Sequence, residues 1–143
     1  MQVLQILNSK PDGVVTVAPG ATVADAAALL SSRKIGAVIV SSDGKRAEGI
    51  LSERDIVREL GKRGGGCLTD KVSAIMTAKP VGCARSDSAD QVMEMMTRGR
   101  FRHMPVIEDG EMVGLISIGD VVKARLSELA MEKEALTGMI MGN

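Results

Sequence analysis

The chain of 143 residues has no tryptophan, no tyrosine and a single phenylalanine. Proteins that hold single-stranded nucleic acid without sequence preference stack bases on aromatic rings, and no such platform exists here. Formal net charge is zero, so there is no overall basic field for a long polyanion, and the composition argues against nucleic acid as a partner. One histidine and two cysteines without a C-x-x-C exclude a conventional zinc site of Cys and His ligands. Cys67 and Cys83 suffice for one disulfide, but nothing in the sequence needs one. No apolar run approaches membrane-spanning length and no signal-peptide pattern opens the chain, so the reading is a soluble cytoplasmic protein without a membrane partner. The motifs G-x-x-x-x-G-K-[ST], G-x-S-x-G, H-E-x-x-H and G-x-G-x-x-G are all missing, and nothing points to catalysis.

What is present is an aliphatic interior. Hydrophobic residues make up 45% of the chain, ten of them Met, and Val, Ile, Leu and Ala must supply the rest of the core. Met packs adaptably because it is unbranched and flexible. The chain also repeats itself. GILSERDIV (49–57) recurs as GLISIGDVV (114–122), pairing Gly49 with Gly114, Ser52 with Ser117 and Asp55 with Asp120 at a shift of 65. Upstream the shift is 66: VVTVAP (14–19) falls on PVGCAR (80–85), IGAVIV (35–40) on FRHMPV (101–106), and SSDG (41–44) on IEDG (107–110). A duplication of this length indicates two copies of one supersecondary unit.

Each copy predicts the order β-α-β-β-α. A short strand (14–17; 80–83) precedes a helix whose start is marked by Thr22 and Asp25, or by Ser88 and Gln91. A strand follows (about 36–40; 102–107), then an Asp-Gly turn at 43–44 or 109–110, and a second strand (46–51; 112–116). The second helix covers 53–63 or 118–136. Short helices are expected before each unit, over Val3–Asn8 and Asp70–Met76. GKRGGGC (61–67) ends a helix and links the units. The expected division is a first unit over 1–66 with its N-terminal helix, and a second over 67–143 with a helical extension to Ile140.

Two features carry chemistry. The Ser-x-x-Asp at each strand-to-helix corner is a helix cap, with Ser as N-cap and Asp near the positive end of the helix dipole. It is equally an anion-binding corner, where a carboxylate can accept from a ribose diol and exposed N–H groups face phosphate. The second feature is RGRFRHMPV (98–106), where Arg98, Arg100, Arg102 and His103 concentrate charge in a neutral protein. It reads either as a solvated helix end with an ordinary histidine or as a match for one or two phosphates.

These residues together resemble the CBS-domain family (cystathionine-β-synthase domains, in tandem a Bateman module). The resemblance rests on the duplicated G-hydrophobic-hydrophobic-S-x-x-D, on AIMT (74–77) and on RHMPV (102–106), and covers about residues 3–126. It implies a mixed α/β (α+β) fold of two units packed sheet to sheet with pseudo-twofold symmetry and two clefts. It implies adenine nucleotides (AMP, ADP or ATP) as ligands, with NAD or S-adenosylmethionine in some members, and no required cofactor or metal. It further implies a regulatory, non-catalytic role towards a target enzyme, and a homodimer; with no attached domain in view, the chain looks like a stand-alone pair. By the same resemblance Asp120 and Ser117 hold ribose, Thr77 borders the nucleotide, Arg102 and His103 reach phosphate, and Val81 and Met104 line the adenine slot. In the first copy Ser52 and Asp55 match, with Arg54 a phosphate ligand between them. There Gly36 and Ala37 replace the Arg–His pair, and Lys10 or Ser9 stands where Met-Thr would be. Thr77, Arg102 and His103 make the second copy the better-equipped corner; the alternative is that both clefts draw on residues of both units, with Arg54 and Arg102 serving one ligand. The competing reading is a structural module that docks a partner enzyme without any ligand.

Overall fold

The computed structural model describes residues 1–10 and 13–141. Helix α1 (Val3–Asn8) precedes β1 (Thr16–Val17), α2 (Val23–Arg33), β2 (Ala37–Val40), β3 (Gly49–Ser52) and α3 (Glu53–Arg63). A 3-10 turn over Gly64–Thr69 leads to α4 (Val72–Ile75), β4 (Thr77–Ala78), α5 (Ala89–Gly99), β5 (His103–Glu108), β6 (Glu111–Ser117) and α6 (Ile118–Ile140). The architecture is mixed α+β. β1 runs parallel to β2, which pairs antiparallel with β3, and β3 with β4; β5 and β6 form a second antiparallel sheet.

Local sequence explains these elements. Thr22 and Asp25 exchange hydrogen bonds as a capping box at the start of α2, and Ser88 and Gln91 do the same for α5. Both helices end on a residue in the left-handed region, Lys34 (φ 54°) and Arg100 (φ 57°). Asp109 (φ 52°) and Gly110 (φ 79°) form the two-residue turn between β5 and β6. The matching Asp43-Gly44 does not close a tight hairpin. The Asp43 carboxylate instead accepts from the backbone N–H groups of Arg46 and Lys45, which hold its pKa down to about 2 and bend the chain into a wider loop. The strand expected over 80–83 is reduced to one parallel bridge, Cys83 to Val106. Pro80 has no N–H to offer a ladder, and Thr77–Ala78, just upstream, pairs with β3.

The units trade their leading segments. Val3 and Ile6 of α1 are buried with Val92, Met96, Met104, Val106 and Ile116 of the second unit. Val72 of α4 is buried with Val23, Val38, Val40 and Leu51 of the first. The hydrogen bonds repeat with the same register. Val3 N–H donates to Asp87 O at 2.9 Å and Leu4 N–H to Arg85 O at 3.0 Å, while Val72 N–H donates to Ala21 O at 2.8 Å and Ser73 N–H to Pro19 O at 3.2 Å. Hence the cores cross the 66/67 division of the sequence in both directions. The exchange also accounts for the glycine that opens each repeated motif. A Cβ on Gly114 would lie 2.4 Å from a methyl of Leu7, and one on Gly49 would lie 2.3 Å from the sulfur of Met76. Cys67 and Cys83 are free and buried, and burial pushes the Cys83 thiol up to about 12, with Asp87 and Glu108 adding to the effect. Among the described residues no helix is long and apolar enough to cross a membrane.

Candidate functional site

Both Ser-x-x-Asp corners are capping boxes. Ser52 closes β3 with extended backbone, its N–H donates to Asp55 Oδ2 at 2.9 Å, and its hydroxyl accepts from Asp55 N–H at 3.3 Å. The Ser52 hydroxyl also donates to Asp55 Oδ2 at 3.0 Å, and the Arg58 guanidinium occupies Oδ1. Among the described residues Asp55 is one of two buried polar ones, tolerable because each carboxylate oxygen is hydrogen-bonded. At the second corner Ser117 N–H donates to Asp120 Oδ2 at 2.9 Å, and Asp120 N–H to the Ser117 hydroxyl at 3.1 Å. Lys10 reaches this corner from the chain's beginning: its ammonium donates to Asp120 Oδ2 at 2.8 Å and to Leu115 O at 2.6 Å. Burial works to raise the Asp120 pKa, but the hydrogen bonds from Lys10 and Ser117 together outweigh it and hold the carboxyl below its usual range.

Each corner opens into a cleft whose opposite wall belongs to the other unit. The first cleft, about 800 Å³, joins Ser52, Arg54 and Asp55 to Thr77, Val81, Arg102 and His103. The second, about 770 Å³, joins Ser117, Asp120 and Lys10 to Gly36, Ala37 and the segment Val14–Thr16. Thr77 and Arg102 therefore stand with Ser52 and Asp55, not with Ser117 and Asp120. Thr77 leaves the second corner because β4 adds to the first unit's sheet.

His103 lines both clefts. Its ring lies against Gly36, where a Cβ would come within 3.0 Å of Nε2, so the absence of a side chain at Gly36 makes room for the imidazole. Burial lowers the His103 pKa, Lys10 and Arg102 act in the same direction, and Glu53 and Asp120 oppose them. The ring is thus neutral at neutral pH. Met104 departs from its expected place. It is fully buried with Val92, Val106 and Ile116 and lines neither cleft. Successive strand side chains face opposite ways, so a cleft that receives His103 cannot receive Met104.

The sequence reading missed Lys79, Arg58 and Phe101 in the first cleft, and Val14, Ile35 and Leu115 in the second. Phe101 is the chain's one aromatic ring, packed against Gly99 at the cleft wall. Val14 fell within the strand expected over 14–17, but β1 is confined to Thr16–Val17 and Val14 lies in the cleft just before it.

Two corners on duplicated β-α-β-β-α units, with clefts shared between them, define a class of paired ligand-binding modules. The CBS-domain family profile matches residues 8–62 and 72–127, and the chain belongs to that family as a tandem pair. A CBS-domain-containing protein from Agrobacterium tumefaciens, known from its crystal structure, is 47% identical with a TM-score of 0.83, over 87% of this chain and 99% of that one. A CBS-domain protein of Pyrobaculum aerophilum, solved in complex with AMP, is 27% identical with a TM-score of 0.77, over 92% of this chain and 99% of that one. A mitochondrial CBS-domain-containing protein of Arabidopsis thaliana is 36% identical over 125 residues, which is 85% of this chain but 61% of that protein.

Proposed function

We propose that this protein is a cytoplasmic, non-catalytic regulatory module that binds an adenine nucleotide and reports its presence to a target enzyme. The observation that carries the reading is the pairing, in each cleft, of a strand-to-helix Ser-x-x-Asp corner with an apolar wall from the opposite unit. Such a corner offers a carboxylate for the ribose hydroxyls and a helix N-terminus for phosphate. Val14 and Ile35 in one cleft, and Pro80 and Val81 in the other, suit the faces of a purine. The AMP complex of the Pyrobaculum relative supports an adenine nucleotide as the ligand. Thermal shift and calorimetry with AMP, ADP, ATP, NAD and S-adenosylmethionine test it; a folded protein that answers none of them refutes the ligand. Asp120→Ala is expected to weaken binding by about 1–3 kcal/mol, through loss of a charge-assisted acceptor. Unchanged affinity in that variant would remove Asp120 from the ribose.

The interaction reading has an observation of its own. On α6, Val122, Leu126, Leu129, Leu136 and Ile140 are exposed, and their spacing of three, four and seven residues makes one apolar seam, with Lys133 at the remaining position. We assign this seam to a second copy of the chain. Antiparallel pairing places Lys133 of one copy against Leu129 of the other and keeps the two Lys133 side chains apart, whereas parallel pairing stacks Lys133 on itself. Leu129→Lys with Leu136→Lys is then expected to convert a dimer to a monomer in sedimentation velocity. A dimer that survives both changes rules the seam out.

A further inference from the structure

We infer that the Ser52–Asp55 cleft takes a ligand carrying a polyphosphate chain, a nucleoside triphosphate rather than a monophosphate, and that Lys79 and Arg100 hold its outer phosphates. The inference deepens the nucleotide reading above and rests on it for the nucleoside part alone. Arg54, Lys79, Arg100 and Arg102 line this one cleft. Among the described residues none of the four is in an ion pair. The fifth cation, Arg58, is tied to Asp55, and Glu53 is the other lining carboxylate. Four uncompensated cations around one cavity repel one another until a polyanion fills it. The same field disfavours a ligand with a sulfonium cation.

The duplication sharpens the point. The strand registers obey the repeat: Ala37 pairs with Ser52 as His103 pairs with Ser117, and the Val17–Val40 pair corresponds to the Cys83–Val106 bridge. At the shifts of 66, 66 and 65, Lys79, Arg102 and Arg54 correspond to Gly13, Gly36 and Gly119. Two of these glycines, Gly13 and Gly36, line the other cleft, whose cations are Lys10, already committed to Asp120, and Arg33 and Lys34 at the end of α2. Only Arg100 keeps a cationic counterpart, Lys34. Backbone geometry adds an independent sign. Lys79 (φ 49°) and Arg100 (φ 57°) both occupy the left-handed region, where glycine is the comfortable residue. Lys34, the repeat counterpart of Arg100, shares this conformation (φ 54°) at the end of α2, so Lys79 is the cation whose backbone sets this cleft apart.

Glycine at these two positions relieves that backbone conflict, so the Lys79→Gly, Arg100→Gly variant should keep its fold and melt no lower than the parent. Isothermal titration calorimetry on both proteins, with AMP, ATP and inorganic tripolyphosphate, reads the result. The parent is expected to bind ATP about tenfold or more tighter than AMP, with tripolyphosphate competing. The double variant is expected to lose that preference while AMP affinity holds, and Asp55→Asn, not Asp120→Asn, should remove the ATP-selective site. Equal affinity of the parent for AMP and ATP, or an ATP preference that survives in the double variant, overturns the inference and leaves nucleotide binding intact. Tripolyphosphate binding that depends on Lys79 and Arg100, without any nucleotide binding, overturns the nucleotide reading instead. No binding of any of the three overturns both.

Discussion

Deleting residues 1–8 is expected to unfold the second unit before the first. Val3 is fully buried and Ile6 is 3% exposed, both in the second unit's core. Burial of two such side chains is worth about 3–6 kcal/mol, a large share of the ~5–15 kcal/mol that holds a domain folded. The deletion also strips partners from Asp87 O, Arg85 O and Ala89 N–H at the start of the second unit. Hydrogen-exchange mass spectrometry of the truncated protein should therefore show β5 and β6 losing protection ahead of β2 and β3. The reverse order would mean that α1 supports the unit it precedes in sequence.

Met104→Ala separates two roles that the sequence alone allows. Its side chain is enclosed by Val92, Val106 and Ile116, so truncation leaves a cavity and should lower stability by about 2–5 kcal/mol in urea unfolding. Nucleotide affinity of the folded protein should not change, because the cleft contains His103 and not its neighbour. A variant that is nearly as stable as the parent but binds AMP weakly would return Met104 to the adenine slot.

The duplicated units were legible because a shift of 65 or 66 residues survives in side chains with fixed local jobs. Thr22 with Asp25, Ser52 with Asp55, Ser88 with Gln91 and Ser117 with Asp120 all cap helices, and capping is decided within four residues. Clefts drawing on both units were one of two expectations, but which corner Thr77 and His103 join was not legible. Arg102 lies nearer in sequence to the second corner but lines the cleft of the first, and Thr77 lines the same cleft because β4 joins the first unit's sheet. No local propensity encodes the exchange of leading segments; it appears only when Leu7 covers Gly114 and Met76 covers Gly49. Arg100 stood out within the basic run, but Lys79 was hidden for another reason. Sequence preference puts glycine at left-handed positions, so the turn at Lys79 reads as ordinary surface. Met104 was the one site residue that periodicity alone would have corrected.

Phe101 gives the first cleft an optical consequence. With no tryptophan or tyrosine, the protein is almost transparent in the near-ultraviolet, where adenine absorbs strongly. A nucleotide retained through purification would dominate the absorption spectrum of the sample, and the protein would add little more than the weak, finely structured band of one phenyl ring. That ring sits in the wall of the cleft beside Arg100 and Arg102, so the chain's one phenyl ring stands at the phosphate end of the site, away from the ligand's own chromophore.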